Sequence, residues 1–262
     1  MPIGFLQAVA ILVIAVVLNA CSQFVGDNRA NVPLSGEVLQ GLAEIGSSPS
    51  EPMVVRVYKQ TSELEVWKRT RTGEYALFKT YPICKWSGEL GPKIREGDYQ
   101  SPEGFYDVTP ALLNPKSSYY LSFNIGFPNK FDKAWGRTGS YLMVHGDCKS
   151  VGCYAMTDEG IKEIYALARE TFRAGNRSFQ LQLLPFRMTE ANLTANAVSP
   201  HLAFWRNLKE GTDIFDTTRR PPSWDVCERR YVFGTDAVAG PELDPNGFCP
   251  VGSFSTMAAA QL

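Results

Sequence analysis

Between Met53 and Ile83 the apolar residues fall in short runs: MVVRVY, SELEVWKRT and YALFKTYPI, rich in Val, Tyr, Phe and Leu and joined by the polar turn Thr70-Arg71-Thr72-Gly73. This pattern predicts short strands. In the following SGELGPKIREGDYQSPEGFYDV, Gly88, Gly91-Pro92, Gly97-Asp98 and Pro102 interrupt the chain every few residues. Such punctuation suits tight turns between antiparallel strands. YYLSFNIGF and SYLMVHG predict further strands, so the first half is β-rich. The period then changes. In TDEGIKEIYALARETFRAG, Ile161, Ile164, Tyr165, Ala168 and Phe172 line one helical face, with Thr157 as N-cap, Asp158 and Glu159 in the first turn and Gly175 as the stop. SFQLQLLPF alternates Phe179, Leu181 and Leu183 with polar residues, as a half-buried strand does. Ser199-Pro200 opens a second helix, expected to run to about Glu210 before Gly211. Beyond Pro221 one more strand is expected in DVCERRYVF, followed by a Gly/Pro-rich end. The fold class is therefore mainly β with a packed helix, plus a small α+β C-terminal extension.

The chain starts with a different kind of segment. Ala8 to Leu18 is an uninterrupted apolar run of eleven residues, shorter than the ~20 a spanning helix needs. It fits the core of a secretory signal, although no Lys or Arg precedes it. The run ends in Leu18-Asn19-Ala20-Cys21, which resembles a bacterial lipobox with Cys21 as the lipidated residue. Residues 1–20 are then a signal peptide and 21–52 a polar tether with one weak helical patch at Glu37 to Ile45. The expected location is the periplasm, with the protein lipid-anchored to the outer membrane and no other membrane contact. A net charge of −1 with no block of like charges gives no sign of a nucleic-acid partner.

Export favours disulfides over thiolate metal sites. Apart from Cys21, five cysteines remain (Cys84, Cys148, Cys153, Cys227 and Cys249), so at least one is unpaired. The stretch HGDCKSVGCYAM holds two of them and one of the two histidines. A metal reading uses His145, Cys148 and Cys153 in an H-x2-C-x4-C spacing, but a structural zinc site needs a fourth ligand and no second paired motif exists. A local Cys148–Cys153 bridge is sterically possible. A nucleophile reading uses more of the residues. A thiol near its reference pKa of ~8.5 needs activation, and His145, at the end of the strand YLMV, can take its proton. Gly146 permits a turn, and Gly152 lets the backbone approach a substrate and present amides to an oxyanion. Cys153 lies four residues before the helix cap Thr157.

These residues carry a resemblance. MVHG followed by Ser150-Val151-Gly152-Cys153 resembles the signature of the L,D-transpeptidase (YkuD-domain) family, most closely its YafK-like murein branch. LGPKIREGDYQSPEGFYDV, LNPKSSYYLSFNIGFPN and the later LLPFRMT resemble that branch as well. The resemblance implies a β-sandwich or barrel-like catalytic domain, taken as residues 53–186, with 187–262 as the extension. It implies a cysteine acyltransferase acting on peptidoglycan stem peptides. In that scheme Cys153 is the nucleophile and His145 its base. The Gly146 carbonyl orients the imidazole, and the backbone at Gly152, Cys153 and Ser150 serves the oxyanion. The thiolate attacks the carbonyl of the L-centre of diaminopimelate, and the thioester passes to an amine or to water. No metal or cofactor is implied. Two departures from the wider family, Val151 in place of His and Ala155 in place of Arg or Asn, belong to the branch and leave the acceptor open. Hydrolysis, trimming a stem peptide or releasing a murein-bound lipoprotein, is the alternative. A catalytically silent wall-binding lipoprotein is another.

Of the remaining residues, Lys93 and Arg95 are candidates to meet substrate carboxylates or are solvated hairpin charges. Asp147 and Asp158 read as helix-start or solvated residues, and His201 as a surface residue. Cys84, Cys148, Cys227 and Cys249 form two disulfides in one of three pairings.

Overall fold

The apolar alternation of the first half folds into a five-stranded sheet. The computed structural model describes residues 27–235 and 242–250. The signal segment and Cys21 lie outside the described residues. Strands β1 (Met53–Tyr58), β2 (Glu63–Arg69), β3 (Tyr75–Pro82) and β4 (Gly104–Val108) form where the runs predicted them. The sheet order is β3-β2-β1-β9-β4, with β9 (Phe179–Leu184) inserted between β1 and β4. β1 and β9 run parallel, Val55 opposite Leu181, and the other pairs are antiparallel.

The interior position of β9 corrects one expectation. Every residue of β9 is buried, the glutamines included, because the sheet is covered on both faces. Phe179, Leu181 and Leu183 join Val55 and Val57 in a core capped by the long helix and a second sheet. On the opposite face Tyr58, Phe105 and Leu184 meet Trp205, Leu208, Tyr231 and Phe233 of the C-terminal region. Gln180 survives there because its Nε2 donates to the Pro222 carbonyl at 2.8 Å, and a buried amide needs such a partner.

A smaller sheet, β5-β6-β7-β8, carries the candidate chemistry. It comprises β5 (Leu113–Asn114), β6 (Ser122–Asn124), β7 (Met143–His145) and β8 (Tyr154–Ala155), with β7 and β8 parallel. The YYLSFNIGF and SYLMVHG strands are thus shorter than their apolar runs. Helix α3 (Asp158–Arg173) starts at Thr157, whose hydroxyl accepts the Gly160 N–H, and buries Ile161, Ile164 and Ala168 as the period predicted.

Three further expectations change. The tether is docked in its second half: α1 (Gly36–Glu44), capped by Ser35, buries Val38 and Leu42 in the main core. Helix α5 (Leu202–Thr218) does not stop at Gly211. A Cβ there would stand 2.5 Å from the Phe233 ring and 2.8 Å from Phe105, so this glycine serves close packing and not termination. The single strand of DVCERRYVF is a hairpin, β10 (Ser223–Cys227) and β11 (Arg230–Gly234). Its turn residues Glu228 and Arg229 both have positive φ, 49° and 55°, the form a two-residue hairpin requires but one usually signalled by Asn-Gly. A Cys227–Cys249 disulfide and hydrogen bonds from Glu228 N–H to Gly247 and Arg229 N–H to Pro245 hold that turn. The short helices α2 (Lys130–Ala134) and α4 (Glu190–Ala195) complete the fold.

Candidate active site

His145 ends β7 and is buried, 2% exposed. Its Nδ1 lies 2.6 Å from the Gly146 carbonyl oxygen. A carbonyl only accepts, so Nδ1 carries the proton in the neutral ring and Nε2 keeps its lone pair. Tyr119 packs on the imidazole, ring centroids 4.6 Å apart. Burial pushes the His145 pKa below its ordinary value, while the Gly146 carbonyl and Asp147 work the other way. Burial thus favours the neutral ring, and the Gly146 carbonyl orients it. No side chain fits at position 146, where a Cβ would meet Asp158 Oδ1 at 2.4 Å and the Tyr119 carbonyl at 3.0 Å.

The segment from Gly146 to Cys153 is built to turn sharply. Asp147 and Cys148 have φ of 67° and 47°. Asp147 N–H donates to Asp158 Oδ1 at 2.9 Å, which ties the turn to the start of α3, and Asp147 itself pairs with exposed Lys149. Cys148 is bridged to Cys84. That pairing removes Cys148 both as a metal ligand and as a partner for Cys153, which overturns the zinc and local-bridge readings. Gly152 sits at φ 115°, a conformation open to glycine.

Cys153 is the unbridged cysteine of the described residues and is half-buried. Val144 pairs with Tyr154 and His145 with Ala155. Cys153 immediately precedes β8, which pairs in parallel with the strand that His145 ends. Its thiol points to the Tyr141 carbonyl at 3.6 Å. Burial pushes the thiol pKa up, opposed by the Met143 N–H and by the charge of Lys93. Both shifts favour the uncharged forms, a thiol and a neutral imidazole.

Two residues that sequence reasoning missed shape this segment. The Cys153 carbonyl accepts from Ser150 Oγ at 2.6 Å and from Ser101 Oγ at 3.0 Å. Ser87 Oγ accepts the Gly152 N–H at 3.0 Å and lies 2.8 Å from Ser150 Oγ. Neither Ser87 nor Ser101 stands in a recognisable spacing, so only the fold could reveal them. The Gly152 amide is thus engaged by Ser87, and the Ser150 hydroxyl by the Cys153 carbonyl.

The loop bearing Ser87, Lys93 and Ser101 is anchored from beneath. Lys59 and Glu103, both fully buried, pair at 3.0 Å. Lys59 donates to the Gly91 carbonyl at 2.8 Å, and Glu103 accepts the Gly91 N–H at 2.8 Å and Trp205 Nε1 at 2.8 Å. Lys93 is buried, donates to the Arg95 carbonyl and is paired with Asp98. It reaches the site as a charge near Cys153, not as an open carboxylate receptor; Arg95 is exposed. Among the described residues no group of three or more His, Cys, Asp or Glu could hold a metal ion, and no helix is long and apolar enough to cross a membrane.

The mainly β fold thus sets an oriented imidazole at one strand end and an unbridged thiol just before the next strand. The YkuD family model, described as an L,D-transpeptidase catalytic domain, matches residues 49–176. YafK of Escherichia coli (strain K12), whose name places it among the L,D-transpeptidases, is 42% identical over 246 residues, 91% of this chain and 97% of YafK. The chain belongs to the L,D-transpeptidase (YkuD) family. Among solved structures, the helical cell shape determining protein Pgp2 of Campylobacter jejuni matches with TM-score 0.42 and 21% identity over 67% of this chain and 65% of that one. L,D-transpeptidase 1 of Mycobacterium tuberculosis matches with TM-score 0.28 and 12% identity over 51% and 62%.

Proposed function

We propose that the protein is an exported cysteine acyltransferase that acts on peptidoglycan stem peptides, with Cys153 as nucleophile and His145 as general base. One observation carries the reading: the single unbridged thiol of the described residues stands just before β8, the parallel partner of the strand whose last residue is an imidazole with Nδ1 fixed on a carbonyl. As Sγ attacks the carbonyl of the L-centre of diaminopimelate, its proton passes to His145 Nε2. The same proton then goes to the departing amine, leaving a thioester on Cys153. An acceptor amine, or water, resolves it. Splitting one difficult step into two is the benefit of the covalent intermediate. The Cys153 N–H stabilises the oxyanion, a role worth ~3 kcal/mol in comparable sites. Membership of the family, and the YafK name, support the reaction class. The signal-like run ending at Cys21 supports export to the periplasm with a lipid anchor.

Digestion of purified sacculi with the mature protein, followed by mass spectrometry of the products, tests this. New diaminopimelate-to-diaminopimelate bonds that vanish with Cys153→Ala are expected. Shortened stems or released lipoprotein with the same dependence would change the acceptor to water. Binding to sacculi with no product at all would make the protein a wall-binding module and sink the enzymatic reading.

A further inference from the structure

A cavity of about 730 Å³ opens outside the Cys153 segment, between the first half of α5, α2 and the β10–β11 turn. Ala203, Arg206, Asn207 and Glu210 reach it, at the i, i+3, i+4, i+7 spacing of one helix face. The other face of α5, with Trp205, Leu208 and Phe215, is buried against the sheet. The cavity wall is aromatic. Phe131 and Phe204 stack at 5.3 Å, and Arg137 lies over both rings while its charge is held by Asp132 at 2.9 Å. Trp135, 54% exposed, and Ile94, 51% exposed, stand at the mouth. Apolar concavities of this size with a few fixed polar groups are the usual form of a binding site.

The charges at the rim do not cancel. Arg230 pairs with Glu210 at 3.0 Å. Arg206 and Arg229 have no carboxylate partner among the described residues: Arg229 Nε donates to Asn246 Oδ1 and its guanidinium lies over Trp135. Glu228 is the one lining carboxylate outside an ion pair among the described residues. α5 also begins at this cavity, at His201, without a side-chain cap. The positive end of its dipole thus adds to the two guanidiniums.

We propose that this cavity is a second binding site, for a peptide bearing carboxylates, with an apolar portion among Phe131, Phe204 and Trp135 and carboxylates on Arg206 and Arg229. It lies next to the candidate active site through one loop: Ile94 lines the cavity, and the preceding Lys93 acts on Cys153. A peptide held there lies beside the segment that reacts. Identifying it as a murein stem rests on the function proposed above; the binding itself does not.

The test is calorimetric titration of a soluble stem tetrapeptide into the full mature chain, with Cys153 first alkylated by iodoacetamide so that the cleft is closed. One bound peptide is expected. Replacing Arg206 and Arg229 together by Ala weakens it by about tenfold or more, since each charged hydrogen bond contributes about that factor. Ala203→Trp, which fills the mouth from an exposed helix position, produces a similar loss, as does amidating the peptide carboxylates. Unchanged affinity in the arginine and tryptophan variants, equal binding of the amidated peptide, or binding only when Cys153 is unmodified would each overturn the proposal. So would a dimer in sedimentation that Ala203→Trp dissociates, which would assign the cavity to a second copy. Binding that persists while Cys153 reacts with no acyl donor would sink the enzymatic reading and leave this one standing.

Discussion

His145 and Cys153 are set in opposite directions by the same cause. Burial lowers the imidazole pKa and raises the thiol pKa, so each favours its neutral form at neutral pH. A neutral base is competent above its own pKa, and here that lies below the ordinary 6.5. The rate of Cys153 acylation by a carbapenem is therefore expected to stay level from about pH 8 to about 6.5 and to fall only below that, as His145 takes up a proton. With His145→Ala the level region disappears. The rate then drops by about 10²–10⁴ and climbs as pH rises toward the raised ionisation of the thiol. Intact-mass measurement of the acyl adduct against pH reads both. A wild-type rate that climbs steadily through pH 8 to 9 would mean that thiol ionisation, not the base, governs attack. At the neighbouring position, Gly146→Ala places a Cβ on Asp158 Oδ1. Relieving that contact breaks the tie between Asp147 and α3, with an expected loss of about 1–3 kcal/mol in denaturant unfolding and slower acylation.

Among the elements, the turn from β7 to β8 is held less by its own sequence than by what grips it. The Cys84–Cys148 bridge closes 64 residues and ties the turn to the end of β3, where Cys84 N–H donates to the Ala155 carbonyl at 2.8 Å. Replacing both cysteines by Ala is expected to lower stability by about 2–4 kcal/mol in denaturant unfolding. It should slow Cys153 acylation more than it slows alkylation by a small reagent, because the loop loses its anchor while the thiol stays accessible. The same elements show what could be read beforehand. Strands β1 to β3 are legible as short apolar runs set off by polar turns, and helix α3 by one 3.6-residue face with Thr157 as its cap. β9 looked half-buried because Gln180 and Gln182 mimic a wet face, and sequence does not announce that a second layer covers it. Gly211 looked like a stop because the close approach of Phe233 is a tertiary fact. His145 and Cys153 stand out as candidates from local order and family likeness. Ser87 and Ser101 were not, since they lie far along the chain from the carbonyl and amide they hold.

Across the whole molecule, the stretch matched by the family model is not a self-sufficient body. It ends at residue 176, before β9, yet β9 is the strand that joins β1 to β4. Packing also runs across residue 186, because the sheet face bearing Tyr58, Phe105 and Leu184 shares one cluster with Phe131 and with Trp205, Leu208, Tyr231 and Phe233. Trp205 links the two regions directly: it is fully buried against that face, and its indole N–H is one of the bonds that satisfy Glu103. Trp205→Ala is expected to lower stability by about 3–5 kcal/mol, while Trp205→Phe keeps most of the packing and loses the bond to a buried carboxylate. The sharper experiment is truncation. A chain ending at Phe186 uncovers the apolar side of β1, β4 and β9 and leaves Glu103 short of a donor, so it should aggregate or remain loosely packed. Near-ultraviolet circular dichroism and amide exchange measure this. A truncated chain with cooperative unfolding and intact Cys153 acylation would show that the C-terminal layer is an independent addition rather than half of the fold that supports the active site.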